Sequence, residues 1–254
     1  VLINSLEPDH LDYFGTKDRY HAAYQKFIEK IPADGHLILF ARDQQHLDLT
    51  KVRGEVHIME DPDTSRKLYQ LRIPGKHNQR NAYAAEQVAS VLGVFPEAIK
   101  CGLENFNGTW RRFEYKGSVN GAKVYDDYGH HPTEIKATIQ GARELYPDQN
   151  LVVVFQPHQY SRTAFFLDEF ATAFKGASDV WITPIYKVRD SQADVQKVSS
   201  EDLVTRINQQ QNAELISMEE AAKRINSNSG PSDVYLVMGA GNINGIFSKL
   251  FLNL

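Results

Sequence analysis

Long apolar runs, basic tracts and paired cysteines are all missing from this chain of 254 residues. No apolar stretch approaches the ~18 residues that a membrane-crossing helix needs, and no charged-then-apolar leader opens the sequence, so no membrane insertion is expected. Lys and Arg number 28 against 32 Asp and Glu, for a formal charge of -4. No basic or basic–aromatic stripe interrupts that balance, which excludes a general nucleic-acid binder and leaves room for a specific anionic ligand. The single cysteine, Cys101, excludes an internal disulfide framework and fits a reducing compartment. It follows Ile99 and Lys100 in an apparent helix and reads as a packed thiol. Neither G-x-x-x-x-G-K-[ST] nor H-E-x-x-H occurs. A nucleoside triphosphate therefore has no obvious phosphate cradle within these residues. A metal hydrolase built on His10, His130, His131 and His158 would lack any familiar zinc spacing.

What is present is a strand–helix rhythm. Val1–Ser5 reads as a buried strand already under way, with no initiator methionine, which implies that upstream sequence is missing. A polar loop over Leu6–Thr16 precedes a helix from Lys17 to Lys30, with Tyr20, Ala23, Tyr24, Phe27, Ile28 and Ile31 on one side. Strands are expected at His36–Phe40, Val56–Met59 and Leu68–Ile73, and helices at Asn78–Leu92 and Pro96–Glu104. Near residue 107 the character changes to regular alternation, which predicts a largely parallel sheet. Its strands are Leu151–Phe155, Val180–Thr183, Glu214–Ser217 and Val234–Met238. Its helices cover 133–146, Phe166–Phe174, Glu201–Gln209, 218–226 and Ile243–Phe251. The fold class is α/β, divided into residues 1–107 and 108–254.

The densest chemistry lies in Val124-Tyr-Asp-Asp-Tyr-Gly-His-His-Pro-Thr-Glu-Ile135, which passes from a strand end through a turn into a helix. Gly129 suits an unusual backbone angle, Pro132 a first helical turn, and Glu134 the positive end of that helix. Ligands of α/β proteins collect at such crossings. Phe155-Gln-Pro-His-Gln-Tyr-Ser-Arg-Thr163 sets His158, Ser161, Arg162 and Thr163 at the next strand end, where helix amides and a guanidinium would suit an anion. Asn78 and Asn81 stand one turn apart and can offer amides to an adenine edge, although Asn78 could equally cap the helix. Arg112, in Trp110-Arg-Arg-Phe-Glu114, can reach a phosphate or form a structural ion pair. His10, between Asp9 and Asp12, can join a divalent metal's shell or remain a surface group. Met238-Gly-Ala-Gly-Asn-Ile-Asn-Gly245 misses G-x-G-x-x-G spacing and reads as a tight turn.

Taken in order, these segments resemble the Mur ligases of bacterial cell-wall synthesis, from the first residue to the last. Asp9-His10-Leu11-Asp12 is similar to the family's histidine motif, His77-Asn78-Gln79-Arg80-Asn81 to its adenine-binding helix start, and Arg112 to an arginine on the nucleotide phosphates. Asp127 is similar to an aspartate near the ribose. Tyr128-Gly-His-His-Pro132 and Gln156-Pro-His-Gln-Tyr-Ser-Arg162 point to the alanine-adding member rather than the tripeptide-adding recycling member.

The resemblance implies a partial central ATPase domain followed by a C-terminal domain of dinucleotide fold with a mostly parallel sheet. The UDP-binding domain, the phosphate loop and a magnesium-binding glutamate lie outside this sequence, so the chain alone is expected not to catalyse ligation. The implied activity is cytoplasmic, ATP- and magnesium-dependent amide formation between UDP-N-acetylmuramate and L-alanine through an acyl phosphate. The implied roles are His10 for magnesium, Asn78 and Asn81 for adenine, Arg112 for phosphates and Asp127 for ribose. Tyr128, His130, His131, His158 and Arg162 would position the amino acid and the muramoyl carboxylate in a site completed by domain closure. A non-catalytic binding protein built from the same parts remains the rival from another class. Oligomeric state is open.

Overall fold

The computed structural model describes residues 1–63 and 68–251, without the side chains of Leu11 and Asp12. Contacts divide the chain into two compact units, residues 1–72 with 76–106 and residues 73–75 with 107–254.

The first unit is built on three parallel strands in the order β1 (Leu2–Ile3), β2 (His36–Phe40), β3 (Glu55–Met59). Strand β2 is apolar at four successive positions because both of its faces are covered. Leu37 and Leu39 pack with Ile3, Leu6 and Ile28 on one face, and Ile38 and Phe40 pack with Met59 and Ala84 on the other. The short α1 (Leu11–Phe14) lies within the expected loop and leads to α2 (Lys17–Ile28), whose N-terminus is capped by Thr16. Phe27, expected inward, is half exposed. α3 (Lys76–Val91) and α4 (Pro96–Asn105) complete the unit. Leu92, expected as the last residue of that helix, lies just past the end of α3 and is largely exposed. Cys101 is exposed too; on α4 the buried residue is Ile99.

Leu68–Ile73 forms no strand. The buried Gln79 side chain does what a neighbouring strand would do: its Oε1 accepts the Leu68 and Tyr69 amides (3.0 and 2.9 Å) and its Nε2 donates to the Tyr69 carbonyl (3.0 Å).

In the second unit, β4 (Glu114–Val119) and β5 (Ala122–Asp127) form an antiparallel hairpin that sequence reasoning missed. Its two-residue turn is Asn120-Gly121, with φ of 50° and 88°, the pairing that such turns demand. The rest of the chain is α5 (Pro132–Leu145), β6 (Asn150–Phe155), α6 (Tyr160–Phe165), α7 (Leu167–Ala173), β7 (Asp179–Ile182), α8 (Gln192–Val195), α9 (Ser200–Ile207), β8 (Ala213–Leu215), α10 (Met218–Asn228), β9 (Asp233–Met238) and α11 (Phe247–Leu250). Strand order is β4-β5-β9-β6-β7-β8, parallel from β5 onward.

Ile135, Ile139, Phe170, Phe174, Leu203 and Ile207 cover one face of this sheet, and Ala221, Ala222, Ile225, Ile243 and Ile246 cover the other. The chain leaving β5 and β6 crosses the first face, while the chain leaving β9, which lies between them, turns to the second. That divergence opens a crevice at the carboxyl ends of β5, β9 and β6. No helix among the described residues is long and apolar enough to cross a membrane.

Candidate active site

The floor of the crevice is a buried ion pair. Arg111, only 3% exposed, sends Nε to both carboxylate oxygens of Asp126 (3.2 and 3.1 Å) and Nη2 to the Gly239 carbonyl (2.5 Å). One side chain thus ties the end of β5 to the end of β9. Burial pushes the Asp126 carboxyl up, and the guanidinium opposes that shift.

The next residue, Asp127, is buried with both oxygens engaged by backbone: Oδ1 accepts the Gly129 amide (2.7 Å) and Oδ2 the Phe113 amide (2.9 Å). Burial pushes this carboxyl up to about 6 against those two hydrogen bonds. Gly129 does not adopt the left-handed angle expected of it. Glycine is required because an added Cβ would stand 2.7 Å from Asp127 Oδ1.

Glu134 organises the loop above. Its Oε2 accepts the amides of His130 (3.0 Å) and His131 (3.2 Å), and its Oε1 meets Arg112 Nη1 at 3.3 Å. Burial works to raise this carboxyl, but His130, its amide and Arg112 together hold it below the usual range. His131 is the N-cap of α5: its Nδ1 accepts the Thr133 amide (3.3 Å), and its buried ring stands edge-on to Phe166 at 4.5 Å. These contacts make His131 a helix cap through Nδ1.

Arg162 is buried, and its Nη1 lies 3.1 Å from His158 Nδ1 and 3.3 Å from the His158 carbonyl. A guanidinium only donates, so Nδ1 of His158 must accept and the ring's proton sits on Nε2. Burial, followed by Arg162 and His130, pushes the His158 imidazolium down to about 4, so the ring is neutral near pH 7. The His130 ring is set the other way: its Nδ1 faces the Tyr128 carbonyl at 3.1 Å, with Glu134 Oε2 at 3.5 Å, and must donate, so in the neutral ring Nε2 is the acceptor. The two rings lie 6.1 Å apart, with Tyr128 5.6 Å from His130 and Tyr186 stacked on His158 at 5.7 Å. An imidazole base, an imidazole donor, a guanidinium and a phenol are thus collected at one crevice.

The expected pocket of helix amides before Arg162 is already filled by the protein. Asp190 Oδ1 accepts both the amide and the hydroxyl of Ser161 at 3.0 Å. Gln156 pins the glycine-rich turn after β9, accepting the Ile243 amide (3.0 Å) and donating to Asn242 Oδ1 (2.9 Å). At Gly239, with φ of 143°, an added Cβ would come 2.7 Å from the Gln156 carbonyl. Sequence reasoning passed over Arg111, Asp126 and Tyr186. A pair of arginines beside paired aspartates was the available signal for the first two.

In the first unit, Asn78 and Asn81 stand on the opening turns of α3; Asn78 lies inside the helix and does not cap it. Asn81 Oδ1 accepts from Asn4 Nδ2 (2.8 Å), just past β1. Arg80 lies over the Phe40 ring at 4.0 Å, donates to the Asn4 carbonyl (3.0 Å) and pairs with Asp61 (3.0 Å). All of these residues gather at the carboxyl end of the three-stranded sheet. His10, at φ 54°, is 56% exposed in its side chain, with Nε2 3.6 Å from Asp9 Oδ2. Among the described residues, none of His10, His130, His131 and His158 joins a three-residue group at ligand distance.

Residues 111–241 match the family profile "Mur ligase, glutamate ligase domain", and residues 1–58 match "Mur ligase middle domain". A UDP-N-acetylmuramate–L-alanine ligase of Acetivibrio thermocellus is 36% identical over 96% of this chain and 57% of its own length. One from Clostridium acetobutylicum is 35% identical over all of this chain and 60% of its own. The chain therefore spans somewhat over half the length of the curated relatives it matches. Among solved structures, a UDP-N-acetylmuramate-alanine ligase from Thermotoga maritima superposes with a TM-score of 0.70 at 24% identity, covering 98% of this chain and 58% of that one. A murein peptide ligase from Psychrobacter arcticus gives 0.67 at 21%, covering 100% and 57%; both are likenesses of fold. With its larger unit matched almost throughout and the strand order and crevice described above, the chain belongs to the Mur ligase family.

Proposed function

We propose that this chain serves the ATP-dependent joining of L-alanine to the carboxylate of UDP-N-acetylmuramate, in the bacterial cytoplasm. The observation that carries the reading is the pair of oppositely tautomeric imidazoles beside the buried Arg162. An amino acid presents an ammonium that must lose a proton before it attacks, and a carboxylate that must be held still. His130 Nε2 is placed to take the proton, while Arg162 and the Nε2–H of His158 suit the carboxylate. Tyr128 would border the muramoyl carboxyl. The carboxylate to be joined is phosphorylated by ATP, the amine nitrogen attacks the acyl phosphate, and the tetrahedral adduct collapses to amide and phosphate.

On the nucleotide side, Asn78 and Asn81 are suited to the adenine edge, and Arg112 can exchange its exposed pairing with Glu134 for a phosphate. Asp127 supports the ribose side by holding the Gly129 and Phe113 amides. His10, oriented by Asp9, fits part of a magnesium shell completed by phosphate and water oxygens. Magnesium, when bound, would offset charge on the transferring phosphoryl oxygens.

The test is phosphate release from ATP by the full-length polypeptide carrying this chain, given UDP-N-acetylmuramate and either L-alanine or the free tripeptide. Release dependent on L-alanine is the expected result. Release with tripeptide alone would move the protein to the recycling reaction, and none with either would overturn the ligase reading.

A further inference from the structure

Within the first unit, a second cluster sits at the amino ends of the strands, opposite Asn4, Arg80 and Asn81. His36 opens β2 and Glu55 opens β3, and the two are paired in register. Glu55 and His57, two positions apart on one strand, project from the same face as His36. The ligand atoms are already close: His36 Nδ1 lies 3.0 Å from His57 Nε2 and 3.6 Å from Glu55 Oε2, and His57 Nε2 lies 3.8 Å from Glu55 Oε1. A tetrahedral ion with arms of about 2.0–2.2 Å needs ligand atoms about 3.3–3.6 Å apart; one ligand atom from each of the three residues lies within 4.8 Å of the other two, so small side-chain rotations bring them to that spacing.

We propose that His36, Glu55 and His57 bind one zinc-class divalent transition metal, which clips β2 to β3. Two imidazole nitrogens 3.0 Å apart can share only one proton between them, whereas a cation takes a lone pair from each. Imidazole with one carboxylate suits zinc, cobalt or nickel, while magnesium prefers a shell of oxygens. The three side chains are 38%, 67% and 29% exposed, so an ion can enter from solvent and keep water in a fourth position. The five residues of β2 separate this site from the Asn4, Arg80 and Asn81 cluster by about 13 Å, at ~3.3 Å per residue. This is a site apart from the one that would serve the nucleotide.

The test is zinc titration of the untagged chain by calorimetry, with thermal unfolding followed in parallel. One zinc per chain is expected, with a transition midpoint that rises with zinc concentration and is unmoved by equal magnesium. His57→Ala and His36→Gln should weaken binding by more than the roughly 10–100-fold that loss of an outer-shell partner costs, and should abolish the thermal shift. Glu55 is exposed and its replacement leaves the core intact, so Glu55→Gln serves if a histidine variant fails to fold. Cobalt should show the visible absorption of a four-coordinate ion in the wild type and lose it in the variants. Zinc binding of equal strength in all three variants, or none at micromolar zinc, would overturn the site and leave the pair as a histidine–histidine hydrogen bond.

Discussion

Both units collect polar side chains at the carboxyl ends of parallel strands, but they hold them in different ways. In the second unit Arg111, Asp126, Asp127, Gln156 and Arg162 are all buried, and each is engaged by backbone or by an opposite charge. In the first, Asn4, Asp61, Asn81 and His10 stand exposed, with Asn4 and Asp61 linked through the partly buried Arg80. A buried network is rigid before any ligand arrives, and losing one member strands another in a medium that penalises charge. An exposed cluster rearranges at little cost. A rigid network suits chemistry that depends on orientation, and an exposed cluster suits a ligand gripped by accommodation.

Removing Arg111 should have the largest effect. Arg111→Ala leaves Asp126 buried without its partner and should cost about 3–5 kcal/mol in denaturant unfolding. Arg162→Ala comes next: under the proposed role it should lower kcat/KM for L-alanine by about 100-fold in the full-length enzyme, as displaced substrate-positioning groups do. Unchanged kinetics would remove Arg162 from the site.

Asp127→Asn should cost about 1–3 kcal/mol, because an amide has only one oxygen for the two backbone donors. The folded-state value of Asp127 near 6 lies above the unfolded 3.8, so its contribution is full below pH 4 and is lost as pH rises through 6. The wild type's advantage over Asp127→Asn should therefore be larger at pH 4 than at pH 7, as paired unfolding curves would reveal. The smallest effect belongs to the first unit, where Asn81→Ala should change stability by no more than about 0.5 kcal/mol. A loss comparable to that of Arg111→Ala would erase the contrast between the units.

Much of the second unit was legible from the chain because each inner strand is a continuous apolar run bounded by breakers and followed by a striped helix. Leu151–Phe155 and Val234–Met238 could only be buried on both faces. The edge hairpin was less visible because β4 carries few apolar residues, although Asn120-Gly121 announced its turn. Leu68–Ile73 has strand-like composition, and what cancels it is a side chain, Gln79, that reaches the same backbone groups from a helix. At the site, the residue types and their gathering at strand ends could be read, but their division of labour could not. His130 and His131 are neighbours of identical chemistry, and only the start of α5 makes one a cap and leaves the other at the crevice. Arg111 and Arg112 are separated in the same way, by a positive φ at Arg111 that turns it to the floor.

The most direct test of a preformed second-unit site is nitrogen NMR of the histidine rings of this chain across pH. A preformed site requires that His158 stay neutral with its proton on Nε2 down to about pH 4, and that Arg162→Ala move its titration upward. A wild-type His158 that titrates at the ordinary value near 6.5, or that carries its proton on Nδ1, would contradict it.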